Sequence, residues 1–280
     1  MPVVREAVVD GLFYPAAPAA LRAQIVDHLA GVGVGVGVGV GVGAGDGAEH
    51  SAPKLLITPH AGYEYCGAVA AHAYALLRRG RAHEISRVVM LGPAHRLALD
   101  GLAAPCAEAF ETPLGRVTLD CAALSSLDEL PQVKRSDRAH EREHSLEVQL
   151  PFLQTLLGSS FTLVPLVVGV TDPEAVAQVL ERVWGGDETL IVISSDFSHY
   201  LPYEQAQAAD RATARRILAL ATDITPHEAC GASAINGALL AARRHGLVPR
   251  LLDLRNSGDT AGDRDRVVGY GAIVFEERQR

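Results

Sequence analysis

Apolar runs alternate along the chain with stretches whose apolar residues recur at helical spacing. That alternation predicts βαβ units built around a largely parallel sheet. Residues 54–58, 87–91, 162–168 and 189–194 read as short buried strands. Residues 18–30, 67–79, 173–184 and 203–221 read as helices that follow or precede them. Residues 143–157 carry apolar side chains at 146, 150, 153 and 157, one stripe of a further helix. Residues 230–245 read as the last helix, and 248–255 and 267–276 as closing strands. Between 93 and 141 the pattern is loop-rich, with short antiparallel strands expected near 102–103 and 117–119.

One segment breaks the pattern. From Gly31 the sequence reads Gly-Val six times and then Gly43, with Gly45 and Gly47 beyond. The period of two is that of a strand, but glycine at every second position removes one packing face and adds chain entropy. A dinucleotide fingerprint fails on parity, since the third glycine would fall on a Val, an Ala or Asp46. Residues 31–47 are therefore read as a flexible low-complexity insertion. Elsewhere no composition shift marks a boundary. The expectation is one α/β domain over residues 1–280, with a mixed, mostly parallel sheet flanked by helices.

Composition narrows the function classes. The 280 residues include 25 Lys+Arg against 33 Asp+Glu, a net charge of −8, which argues against an electrostatic nucleic-acid binder. Every apolar stretch is interrupted before 18 residues, so no membrane span is expected. The first residues lack a basic then apolar leader, and a cytoplasmic location is the expectation. Four cysteines make no disulfide framework, and without a CxxC pair no zinc knuckle or thioredoxin-type motif is present. Cys66, Cys106 and Cys121 read as small packing residues. Cys230 differs: it opens a predicted helix, where the dipole would favour thiolate.

Three strand runs end in chemically able groups: Thr58-Pro-His60-Ala-Gly-Tyr63, Gly92-Pro-Ala-His95-Arg96 and Ser194-Ser195-Asp196-Phe-Ser-His199-Tyr200. In an open parallel sheet the carboxyl ends of the strands share one edge, where ligands bind. The three histidine loops should therefore converge, with Pro59 and Pro93 stiffening the approach to His60 and His95. Glu143-His144-Ser145-Leu-Glu147 lies on the predicted 143–157 helix, where Glu143 and Glu147 would share a face. These polar residues either face solvent or orient the histidines from behind. The segment is not HExxH, since no second histidine stands four residues on.

Together, Pro59-His60-Ala-Gly-Tyr63, Gly92-Pro-Ala-His95, Glu143-His144-Ser145-Leu-Glu147-Val-Gln-Leu-Pro151, Ser195-Asp196-Phe-Ser-His199-Tyr200 and Cys230-Gly resemble the Memo family, whose prokaryotic members are often called AmmeMemoRadiSam system protein B. The motifs occur in family order over nearly the whole chain. The resemblance implies a fold like that of LigB-type class III extradiol dioxygenases, with a cysteine where those enzymes place a carboxylate. It implies His60, His95 and Cys230 as metal ligands, with Asp196 and His199 in the same pocket. Tyr63 and Arg96 would line a substrate pocket, and Glu143, His144, Glu147 and Ser195 would support the ligands. A thiolate donor suits iron, copper or zinc over magnesium or calcium. Iron is the first expectation, with copper or zinc as alternatives.

The implied activity is redox or dioxygenase-like chemistry on a small substrate, with His199, oriented by Asp196, as general base. Radical-SAM and AMMECR-type proteins are the implied pathway partners, with no nucleic acid and no membrane. Two other readings use the same residues. Cys230 could act without metal as the nucleophile of a hydrolase or transferase. Alternatively the chain is a non-catalytic adaptor, although phosphopeptide recognition would want an Arg cluster and only Arg96 is near.

Overall fold

The computed structural model describes residues 3–32, 53–79, 82–158 and 160–277. Residues 33–47 of the Gly-Val segment lie outside them. The described elements, in chain order, begin with β1 (Val4–Arg5), α1 (Pro18–Ala30), β2 (Leu55–Thr58), α2 (Tyr63–Arg79) and β3 (Arg87–Pro93). They continue with β4 (Leu102–Ala104), β5 (Ala109–Thr112), β6 (Gly115–Thr118), α3 (Cys121–Ser126), β7 (Val133–Arg135) and α4 (Asp137–His140). A 3₁₀ turn over Glu147–Gln149 leads into α5 (Leu150–Leu157), then β8 (Thr162–Val168), α6 (Pro173–Val183) and β9 (Thr189–Ser194). The last are β10 (His199–Leu201), α7 (Tyr203–Leu218), α8 (Ala232–Arg244), β11 (Leu247–Asn256) and β12 (Val267–Glu277).

The main sheet has nine strands in the order β10-β12-β2-β9-β3-β8-β4-β7, with β11 paired to β12. Its centre is parallel: β2 with β9, β9 with β3 and β3 with β8. These four strands are rich in Leu, Ile and Val and are buried on both faces, as a helix-covered parallel sheet requires. The flanks are antiparallel, through β12 on one side and β4 on the other. A second, three-stranded sheet joins β1, β5 and β6. Helix α2 packs with α1 and α5, while α8 lies against β3 and β9 with α6 beside it. The fold is thus α/β with mixed sheets flanked by helices, as the hydropathy pattern predicts.

Two local expectations are corrected. Residues 143–157 do not form one helix; regular α-helix begins at Leu150, with Pro151 in its first turn. Proline favours that position because its missing N–H is unpaired there in any case. Residues 143–146 are left as an irregular segment, which changes where Glu143 and Glu147 point. Cys106 and Cys121 are exposed rather than packed, and only Cys66 is a buried small residue of the expected kind. Residues 102–104 pair antiparallel with β8 but parallel with β7.

Candidate metal centre

The adjacent parallel strands β2, β9 and β3 deliver their carboxyl ends to one edge, with Thr58 in register with Ser194 and Leu91 with Ile193. The loops that leave this edge carry His60, Asp196 and His95. The irregular segment before α5 brings His144 beside them. His60, His95 and His144 each offer a ring nitrogen, and these atoms all lie within 4.8 Å of one another. The His95 and His144 rings stack at 4.8 Å, and His60 stands edge-on to both at 5.2 and 5.5 Å.

Hydrogen bonding settles which nitrogen two of these rings present. The Ser194 hydroxyl donates its only proton to Ser145 O (2.6 Å) and accepts from Gln149 Nε2 (2.8 Å). His60 Nδ1, 2.9 Å from the same oxygen, must therefore donate, and its Nε2 keeps a lone pair. Gln149 is itself fixed by donating to Pro59 O and accepting from Thr58 and Tyr74 hydroxyls. His95 Nδ1 pairs with Glu143 Oε1 at 3.0 Å, so its Nε2 is likewise the free atom. Glu143 also accepts from the backbone N–H groups of His95 and Ser145. Burial alone would raise its carboxyl, but the bonds from His95 outweigh this and hold it at about 2.

His144 has no such tie. Its Nδ1 is buried and makes no hydrogen bond, although Glu143 Oε1 lies 3.4 Å away. Its ring packs edge-on against Phe13 at 4.8 Å. Burial lowers the His144 pKa to about 4. Burial, followed by the neighbouring His95 and His144, also holds His60 well below the usual imidazole range. Neutral imidazoles with free lone pairs are the form that metals bind.

Cys230 reaches the cluster from the turn before α8, with Sγ 3.4 Å from His60 Nε2 and accepting from Asp196 N at 3.3 Å. Gly231 makes this approach feasible, because a β-carbon there would meet Ser195 Cβ at 2.7 Å. Ser195 accepts from Gly231 N and donates to Asp196 O, closing the turn. The expected thiolate is not favoured: burial, and then the Asp196 charge, push the Cys230 thiol up to about 12. The helix proper starts two residues later, at Ala232, so the dipole is weaker at the sulfur than the sequence suggests.

Asp196 is buried, which raises its carboxyl to about 7. It accepts from His60 N at 2.7 Å and so shapes the His60 loop, and no hydrogen bond joins it to His199. The idea that Asp196 orients His199 is corrected accordingly. His199 is half-buried beside the cluster, and burial lowers its pKa. Glu147 does not support the histidines. It is fully buried and pairs with Arg5, accepts from Tyr14 OH (2.5 Å) and takes the N–H groups of Val8 and Val9. Arg5 then continues to the backbone oxygens of His140 and Glu143, tying the start of the chain to the His144 segment. Tyr63 is also buried, donating to Val148 O between Tyr14 and Phe152. Arg96 is exposed next to His95.

Sequence reasoning noted Ser194 and Gln149 within motifs without giving them a role, and passed over Arg5. Each is a polar residue inside an apolar run (Ile-Val-Ile-Ser, Glu-Val-Gln-Leu and Val-Val-Arg), a signal that it is buried with partners.

A family model described as Memo-like protein matches residues 5–274. A MEMO1 family protein of Methanopyrus kandleri is 36% identical over 97% of this chain and 98% of its own length. One from Aeropyrum pernix is 38% identical over 96% and 99%, and one from Aquifex aeolicus 33% over 97% and 99%.

Proposed function

Because the chain belongs to the Memo-like family, and because its histidines are pre-set as ligands, we propose that it is a mononuclear metalloprotein with redox or dioxygenase-like chemistry on a small substrate. The observation that carries this reading is the pair of locked rings, His60 by Ser194 and His95 by Glu143, each leaving the Nε2 lone pair as the ligand atom in a cluster whose ring nitrogens lie within 4.8 Å of one another. The residues fit a metal on a further count, the His144 ring, which no hydrogen bond through its buried Nδ1 ties in place. His60 and His95 would hold the ion, with Cys230 completing the set and His144 as an additional donor.

A bound cation would also offset the cost of ionising Cys230, since a coordinating thiol loses its proton. The mixed His and Cys donor set favours iron, copper or zinc, of which iron and copper supply one-electron and O₂ chemistry. Around it, Asp196 holds the His60 loop, and His199, half-buried beside the cluster, is the imidazole outside the ligand set that would move a substrate proton. The radical-SAM and AMMECR-type partners belong to this reading as expectations of the family.

A metal-free nucleophile is the weaker reading, because burial raises the Cys230 thiol rather than activating it. Metal content by mass spectrometry on anaerobically purified protein tests the proposal. Near-stoichiometric iron, copper or zinc, lost in His60→Ala and in Cys230→Ser, is the expected result. Protein that neither carries metal nor takes it up would overturn it.

A further inference from the structure

A cavity of about 200 Å³ opens beside the candidate centre, between the carboxyl ends of β3 and β8 and the first turn of α8. Leu97, Leu99, Val168, Pro226 and Ala234 form its walls, and Cys230 is the one residue it shares with the histidine cluster. No charged side chain lines it. A second, larger cavity at the chain start is different in kind: it is lined by Arg5, Glu6, Asp137, Glu141 and Arg142 and touches none of the candidate ligands.

The apolar cavity is a formed feature of the fold. Its wall from Ala94 to Leu99 belongs to the same loop as His95, and backbone bonds pin that loop at both ends. Ala94 N donates to Val168 O, and Val170 N to Leu99 O. Gly169 permits the second contact, since a β-carbon there would lie 1.8 Å from Leu99 O. The position is the crevice outside the carboxyl ends of parallel strands, where α/β proteins take their ligands.

We propose that this cavity receives a compact, uncharged apolar group of the substrate and so places the reacting end of the molecule at Cys230 and the histidines. The proposal rests on the metal-site reading of the preceding section. No cationic side chain stands in this lining to neutralise a phosphate, so an uncharged group is favoured over a phosphorylated one at this subsite. An apolar cavity of about 150 Å³ is known to take benzene, so the group accommodated is on the order of six non-hydrogen atoms, a small ring or short branched chain. Leu97, Leu99 and Val168 set that specificity.

Methyl NMR on the full-length protein tests this, with n-butanol as the apolar probe and malate as the charged comparator. Saturable butanol shifts at Leu97, Leu99 and Val168, absent with malate, are expected. Leu99→Lys should raise the butanol dissociation constant at least tenfold while metal content stays unchanged. Val170→Glu, at a mouth residue 79% exposed, provides a second variant that folding tolerates and should weaken binding at least threefold. The proposal is overturned if butanol leaves these methyls unmoved, if malate shifts them equally, or if both variants bind butanol as the wild type does. Metal content measured on the same samples separates the two claims. Wild type without metal but with saturable butanol shifts defeats the metal reading alone, and metal without butanol shifts defeats the cavity assignment alone.

Discussion

His60 donates from Nδ1 to the Ser194 hydroxyl at 2.9 Å, and Ser194 can only accept because its own proton is committed to Ser145 O. One serine thus decides which face of a candidate ligand is basic. Ser194→Ala removes the acceptor for both His60 and Gln149 Nε2. A loss of about 10–100-fold in metal affinity is expected, the usual effect of deleting a partner that orients a ligand. Competition with a chelator measures it, and two-bond ¹H–¹⁵N spectra should show His60 losing its single tautomer.

The Arg5–Glu147 pair is buried on both sides, with side-chain exposures of 6% and 0%. Removing one partner leaves the other charged and desolvated. Arg5→Ala is therefore expected to cost about 3–5 kcal/mol. Urea unfolding at neutral pH checks this. A cost below about 1 kcal/mol would mean that Glu147 escapes to solvent or takes up a proton.

Acid should destabilise the protein through His140, which lies outside the metal cluster. Burial lowers its folded pKa to about 4, while its Nε2 donates to Ala103 O. The unfolded chain, with an ordinary imidazole near 6.5, binds the proton first as pH falls. His140 therefore reduces stability from about pH 6.5 down to about 4, and the loss levels off below that, at on the order of 3 kcal/mol. Asp196 and Asp210, both raised by burial, act in the opposite direction. The test is accordingly a difference: His140→Gln should flatten the stability slope between pH 7 and 5 relative to the wild type.

Thiol labelling should sort the four cysteines. Cys106 and Cys121 are exposed and should react within the mixing phase of a disulfide-exchange assay. Cys66 is buried, and Cys230 is half-buried with its thiol raised to about 12, so both should react more slowly than Cys106 and Cys121. Two fast thiols per chain is the expected count, and a fast Cys230 would contradict its raised thiol.

The strands that carry the site were legible because each is a continuous apolar run ending at a polar cluster, and the parallel edge then brings His60, His95 and Asp196 together. Element bounds agree within a few residues from 162 to 194. The 143–157 segment was not legible in the same way. A leucine stripe at helical spacing suggested one helix, but Pro151 marks its true start. The irregular turn ahead of it sends Glu143 to His95, His144 into the cluster and Glu147 the other way, to Arg5. Periodicity cannot register a segment that has no period, and the ion pair from Arg5 to Glu147 spans too much chain for any local signal. Cys230 was legible as a residue of the site but misjudged electrostatically, because burial, which sequence does not display, outweighs a helix end.

The central register of Leu55–Thr58 against Thr189–Ser194 has a consequence for biogenesis. The candidate ligands come from positions 60, 95, 144 and 230, so the donor set is incomplete until the ribosome has passed the last of them. Parallel pairings between such distant segments close late and slowly. A nascent chain stalled before residue 230 therefore carries His60, His95 and His144 without Cys230, and the proposed donor set is complete only in longer chains.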